Sequence, residues 1–156
     1  MKKLMSNRNK KIIFSTAVCL WILVIWGHSF MPASVSSNES NFVLSAFNDF
    51  ISTLGTNWQI TAFAVRKAAH FSEFFILGLL LTKALRTVFA AWPLPFDSCT
   101  LSMGLFVAVC DEFIQYFSPG RASLISDVMI DFSGVVCAVF LCFIVHKIQI
   151  RRRRIR

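Results

Sequence analysis

Apolar runs of about 20 residues recur along the chain, the length of helix that a hydrocarbon core of about 30 Å requires. Four such runs stand out, at residues 12–31, 64–84, 99–117 and 124–146. Pro32 stops the first, Pro93 and Pro95 punctuate the connection between the second and third, and Pro119 with Gly120 turns the chain between the third and fourth. The pattern predicts an all-α, polytopic membrane protein: a four-transmembrane-helix bundle formed as one domain over residues 1–156.

Between the first two runs lies a polar stretch, residues 33–61, with a helical pattern of its own. Val43, Phe47, Phe50, Ile51 and Leu54 recur on one face, and Ser45, Asn48, Asp49 and Ser52 fall opposite. An external amphipathic helix is expected there, with Ser36 and Glu39 as a capping box and Trp58 at headgroup level. Two placements suit it: packed over the mouth of the bundle, or lying free in the interface.

Composition agrees with the bilayer as solvent, since 56% of the residues are apolar and the mean hydropathy is +0.64. The formal charge of +8 does not indicate nucleic acid, because the basic residues gather at the two chain ends rather than along one face. Thirteen Lys and Arg residues fall at the N-terminus, at Lys83 and Arg86, and at the C-terminus; three (Arg66, Lys67, Arg121) fall on the other side. That bias predicts both termini of a multi-pass membrane protein in the cytoplasm. Ala33–Ser37 after a basic, apolar start also suits a cleaved leader, which would leave the remaining topology unchanged. The five cysteines show no metal-type spacing and read as apolar filler.

Charged residues inside spans are expensive, so their positions carry the functional signal. Arg66, His70 and Glu73 fall at i, i+4 and i+7, with Lys67 beside them. Asp111, Glu112 and Gln115 can face one neighbour, and Asp127, Asp131 and Gly134 repeat the i, i+4, i+7 spacing. At 1.5 Å per residue, Glu73 lies roughly 13 Å inside its span, Asp111 and Glu112 roughly 8–9 Å, and Asp131 roughly 10 Å. His28 and Ser29 close the first run at the same level. The spans therefore converge on one polar layer of five carboxylates and three fixed cations, facing outward, whereas inner halves such as 75–81 and 140–145 are almost wholly apolar.

As plain interhelical glue, Arg66, Lys67 and Arg121 would neutralise Glu73, Asp111, Glu112 and Asp127, with Arg121–Asp127 the most structural pair. Intramembrane polar contacts contribute only about 0.6 kcal/mol on average. Inserting an Asp at mid-helix costs about 2.5–3.5 kcal/mol. Five acids exceed what glue requires, and a binding or catalytic site is the better reading. Three chemistries fit: a divalent cation on carboxylates and histidine, although no H-E-x-x-H motif is present; a phosphorylated or carboxylated lipid headgroup held by Arg66 or Arg121; and general acid–base catalysis by His70 with a carboxylate. The spacing does not choose among them. Ser29, Ser72 and Ser126 lack a nucleophile-elbow context. A transporter would need an inward path, which the apolar inner halves do not offer.

At these residues the chain resembles the VanZ-like family of small bacterial membrane proteins, named for a teicoplanin-resistance protein. The likeness rests on four ordered elements: W-x₆-H-S-x₂-P at Trp21, His28, Ser29 and Pro32; R-K-x-x-H-x-x-E at Arg66, Lys67, His70 and Glu73; D-E-x-x-Q-x-x-x-P-G-R from Asp111 to Arg121; and D-x-x-x-D-x-x-G at Asp127, Asp131 and Gly134. The resemblance implies a cell-envelope role and lowered glycopeptide susceptibility in some relatives, and no established reaction. The expected partners are the bilayer and a lipid-linked cell-wall precursor or a glycopeptide. His70, Glu73, Asp111 and Glu112 are the candidate catalytic residues of an alternative membrane-embedded enzyme; His28, Ser29, Arg66, Lys67, Gln115, Arg121, Asp127 and Asp131 are candidate binding residues. The Arg151–Arg156 tail suits anionic inner-leaflet lipid.

Overall fold

The computed structural model describes residues 7–53, 60–91 and 95–154 and is all-α over them. Lys2, Lys3, Leu54, Trp58, Pro93 and Arg156 lie outside the described residues. Five helices follow in order: α1 (Asn7–Phe30), α2 (Ala33–Thr53), α3 (Ala62–Val88), α4 (Phe96–Tyr116) and α5 (Ile125–Arg154). Each start has a local cause. Thr61 Oγ1 accepts the Ala64 N–H at 3.2 Å and caps α3. Asp97 favours the N-terminal turn of α4 and takes Arg86 Nη2, from the last turn of α3, at 2.8 Å. α5 is capped across the loop: Glu112 Oε2 of α4 accepts the Leu124 N–H at 3.0 Å.

α3 is the centre of the bundle and touches each of the other four helices, most extensively α5. Their seam is tight at Gly134, where an added methyl would meet the Phe71 carbonyl and lie 2.9 Å from the Phe75 nitrogen. Phe74, Leu77, Ala108 and Val135 pack beside it with no exposure. The opposite helix faces carry large apolar side chains outward, among them Phe106, Phe113, Ile125 and Phe140, each more than half exposed. Apolar groups on both the inside and the outside of a bundle are what a lipid solvent selects.

By length and composition, α1, α3 and α5 are able to cross a membrane. α4 does not join them on those criteria, because its 21 residues include Asp97, Asp111 and Glu112, the last two buried. Three helices among the described residues therefore meet the length and composition of a span, where four spans were expected. The boundaries also shift: α3 extends at both ends, and α5 continues as helix through the basic residues to Arg154.

The polar connection is helical as the periodicity predicts, but α2 begins at Ala33. Ser36 and Glu39 therefore sit inside the helix rather than in a capping box, and the Ser36 carbonyl accepts the Ser40 hydroxyl at 2.8 Å. Ala33 donates its N–H to the Pro119 carbonyl at 3.1 Å, which ties the start of α2 to the α4–α5 loop. That loop turns at Gly120, whose φ of +74° is the left-handed conformation that glycine tolerates. α2 packs against α3. Of its apolar residues, Val43 and Phe47 turn towards a cavity, although both remain about half exposed.

Candidate functional site

The polar residues of α1, α3, α4 and α5 meet at one end of the bundle in linked groups. On α3, Glu73 faces α1: His28 Nδ1 lies 2.9 Å from Glu73 Oε1. Trp21 Nε1 donates to the Glu73 carbonyl at 2.9 Å, so the same turn of α3 is held twice by α1. Ser29, one residue after His28, points to α4 and donates to Asp111 Oδ1 at 2.6 Å. Gln115 Nε2 donates to the other Asp111 oxygen at 2.8 Å, and Ser118 donates to the Ser29 carbonyl at 2.6 Å. Asp111 is thus a buried carboxylate held by hydroxyl and amide donors alone, with no ion pair among the described residues.

Lys67 Nζ pairs with Asp127 Oδ1, which also accepts the Ser126 hydroxyl at 3.1 Å. That pairing corrects the expected Arg121–Asp127 contact. Lys67, less than one turn before His70 on α3, reaches the first turn of α5, whereas Arg121 sits in the preceding loop and turns to the cavity. Arg66 and Arg121 make no ion pair among the described residues, so the scheme in which they neutralise the layer fails at both. Burial lowers the Arg121 pKa from its ordinary value, and Arg66 adds to the effect, while Asp111, Glu112 and Glu39 oppose it. An arginine so placed would gain from an anion.

His70 faces α5. Its Nδ1 lies 3.2 Å from Asp131 Oδ1 without hydrogen-bond alignment, and neither Asp131 oxygen has a hydrogen-bond partner among the described residues. Asp131 has no exposed surface. One ligand-type atom from each of His70, Asp111 and Asp131 lies within 4.8 Å of the others, so among the described residues this trio is the group whose spacing could hold a metal. Glu112 caps α5 with one oxygen and leaves the other buried and without a hydrogen-bond partner among the described residues.

A cavity of about 600 Å³ opens beside these groups, between α1, α2 and α3 and under the α4–α5 loop. His28, Ser29, His70 and Glu73 form part of its wall; Arg66, Arg121 and Glu39 supply charge; Val43, Phe47, Ile60, Ala64, Val65, Ala68 and Ala69 supply apolar surface. Of the twelve candidate residues, six line it directly: His28, Ser29, Arg66, His70, Glu73 and Arg121. Asp111 and Gln115 stand behind Ser29, Asp131 stands behind His70, and Lys67, Asp127 and Glu112 fasten α3, α4 and α5 together outside the cavity wall. Sequence reasoning missed Glu39, Ser36 and Ser40 as lining residues, because Ser36 and Glu39 were read as a capping box and Ser40 fell outside the amphipathic pattern. It also missed Ser118, a loop hydroxyl for which periodicity gives no signal.

Fold and layer together define a helical membrane protein with a buried carboxylate–histidine cluster reached from an apolar-walled cavity. The VanZ/LLP1 family profile matches residues 14–146, and the chain belongs to that family. No curated protein and no solved structure gives a significant match.

Proposed function

We propose that this VanZ-family chain is a single membrane domain that receives the anionic headgroup of an envelope lipid, such as a lipid-linked cell-wall precursor, and so alters the response to glycopeptide antibiotics. One observation carries the reading: two arginines without ion-pair partners among the described residues stand at a cavity whose remaining wall is largely apolar. Guanidinium forks suit phosphate or carboxylate, and the apolar wall suits the first part of a lipid chain. Native mass spectrometry of gently purified protein should retain a phosphorylated or carboxylated lipid on the wild type and lose most of it in Arg66→Gln/Arg121→Gln. Equal retention by the double variant would remove the arginines from the reading.

The site faces outward in this proposal, with four spans, α4 included, and both termini in the cytoplasm of the bacterial cell membrane. The 13-to-3 distribution of Lys and Arg supports that orientation. A reporter fused after Arg156 should read cytoplasmic and one inserted near Asn41 external; the reverse pattern would place the cavity on the inner face and exclude an extracellular antibiotic as its direct ligand.

A second reading makes the same cavity an active site on the headgroup, with His70, Glu73, Asp111 and Glu112 as acid–base or metal-binding groups. It is favoured by His70, a histidine on the cavity wall whose Nδ1 lacks a hydrogen-bond partner among the described residues. A catalytic His70 must exchange a proton near neutral pH, which glutamine cannot do. Loss of glycopeptide response in His70→Gln at normal abundance is the result it requires.

A further inference from the structure

Asp131 poses a problem that neither reading solves. It lies on α5 with no exposure, and both of its oxygens lack hydrogen-bond partners among the described residues. An ionised carboxylate in that position is costly unless a cation meets it. Lys67 is committed to Asp127, and Arg121 makes no ion pair with either acid. Asp111, 1% exposed, brings a second carboxylate to the same place, and one proton on His70 would balance at most one of the two.

Ligand-type atoms of His70, Asp111 and Asp131 gather within 4.8 Å of one another. His70 Nδ1 and Asp131 Oδ1 are 3.2 Å apart, an ion-pair distance if His70 is protonated, without the alignment of a hydrogen bond. Two ligands bound at about 2.0–2.2 Å to one tetrahedral or octahedral ion stand about 3.0–3.5 Å apart, pointing at the ion and not at each other. The Asp111 oxygen completes the trio inside 4.8 Å. Ser29 and Gln115 hold Asp111 by hydrogen bonds at 2.6 and 2.8 Å, as outer partners hold ligating carboxylates elsewhere.

We propose that His70, Asp111 and Asp131 bind one divalent transition-metal ion, Zn²⁺ or Mn²⁺, at the inner wall of the cavity. One imidazole nitrogen and two carboxylates suit these ions better than Ca²⁺ or Mg²⁺, which take oxygen ligands, and the dication balances both acids. Three protein ligands leave coordination positions open for water or for an anionic oxygen. The site goes beyond headgroup binding and does not depend on it, because its test contains no lipid ligand.

Full-length protein in mild detergent, stripped by a chelator, is titrated with ZnCl₂ and MnCl₂ by calorimetry. One ion per chain is expected with at least one of the two. Asp131→Asn should weaken binding at least tenfold, and Asp97→Asn, which pairs with Arg86 away from the trio, should change it less than about threefold. Should Asp131→Asn fail to accumulate, electron paramagnetic resonance of the Mn²⁺-loaded protein decides. A ¹⁴N coupling is expected that survives the combined His28→Gln/His146→Gln change, which leaves His70 as the remaining histidine. No stoichiometric ion with either salt, equal affinity in Asp131→Asn, or a coupling lost in that histidine double variant would overturn the assignment.

Discussion

The two ends of the bundle hold cavities of nearly equal volume and opposite chemistry. One, about 600 Å³, is walled by His28, His70, Glu73 and two arginines without ion-pair partners among the described residues, and backs onto the buried acids Asp111 and Asp131. The other, about 590 Å³, is bounded by Arg86, Asp97, Phe143 and His146, and its two opposite charges pair with each other at 2.8 Å. Arg86 and Asp97 are 31% and 42% exposed as side chains, so water supports both. Volume alone therefore identifies nothing. Charge that is buried, short of partners and gathered from several helices sets the first end apart.

The comparison breaks most severely if the helices cannot approach, and the closest approach lies next to the site. Gly134→Ala drives a methyl group into the Phe71 carbonyl and the backbone of α3, one turn beyond Asp131. Overpacking of this kind costs about 1–3 kcal/mol, more where backbone must yield. Membrane abundance of Gly134→Ala, followed by quantitative immunoblotting, is expected to fall severalfold; wild-type abundance would mean that the α3–α5 seam is looser than described.

The second cavity provides the small-effect control. Removing a half-exposed ion pair costs at most about 1 kcal/mol. Arg86→Ala should leave detergent melting temperature and glycopeptide response near wild type. A loss as large as that of a polar-layer variant would make the two ends equivalent and dissolve the contrast.

Much of this arrangement was legible in the sequence, for definable reasons. Period and run length expose every helix, because a helix facing lipid is apolar over most of its circumference. The i, i+4, i+7 stripes put Arg66, His70 and Glu73 on a shared surface, and the structure does bring His70 and Glu73 to one cavity. Spacing cannot say which way each member of a stripe turns. Glu73 goes to His28 on α1 and His70 to Asp131 on α5, a division set by packing around the small residue Gly134 and by the Trp21–Glu73 bond. Nor does spacing separate Lys67, which pairs across to Asp127, from Arg66, which makes no ion pair among the described residues. Length and composition alone mark α1, α3 and α5 and not α4 as able to cross a membrane, because Asp97, Asp111 and Glu112 interrupt the apolar run of α4. The α2 start was misplaced because Ser36 and Glu39 fit a capping box as well as they fit the helix interior they occupy.

The central claim is that the buried acids and His70 serve function rather than assembly. Its direct test is one paired measurement, membrane abundance against glycopeptide susceptibility, across Glu73→Gln, Asp111→Asn, Asp131→Asn and His70→Gln. Near-isosteric neutral side chains keep shape and most hydrogen bonding while removing charge and proton exchange. The account predicts loss of the susceptibility phenotype in each, at least tenfold beyond any loss of abundance. Activity falling only in step with abundance across all four variants would contradict it and return the layer to interhelical glue.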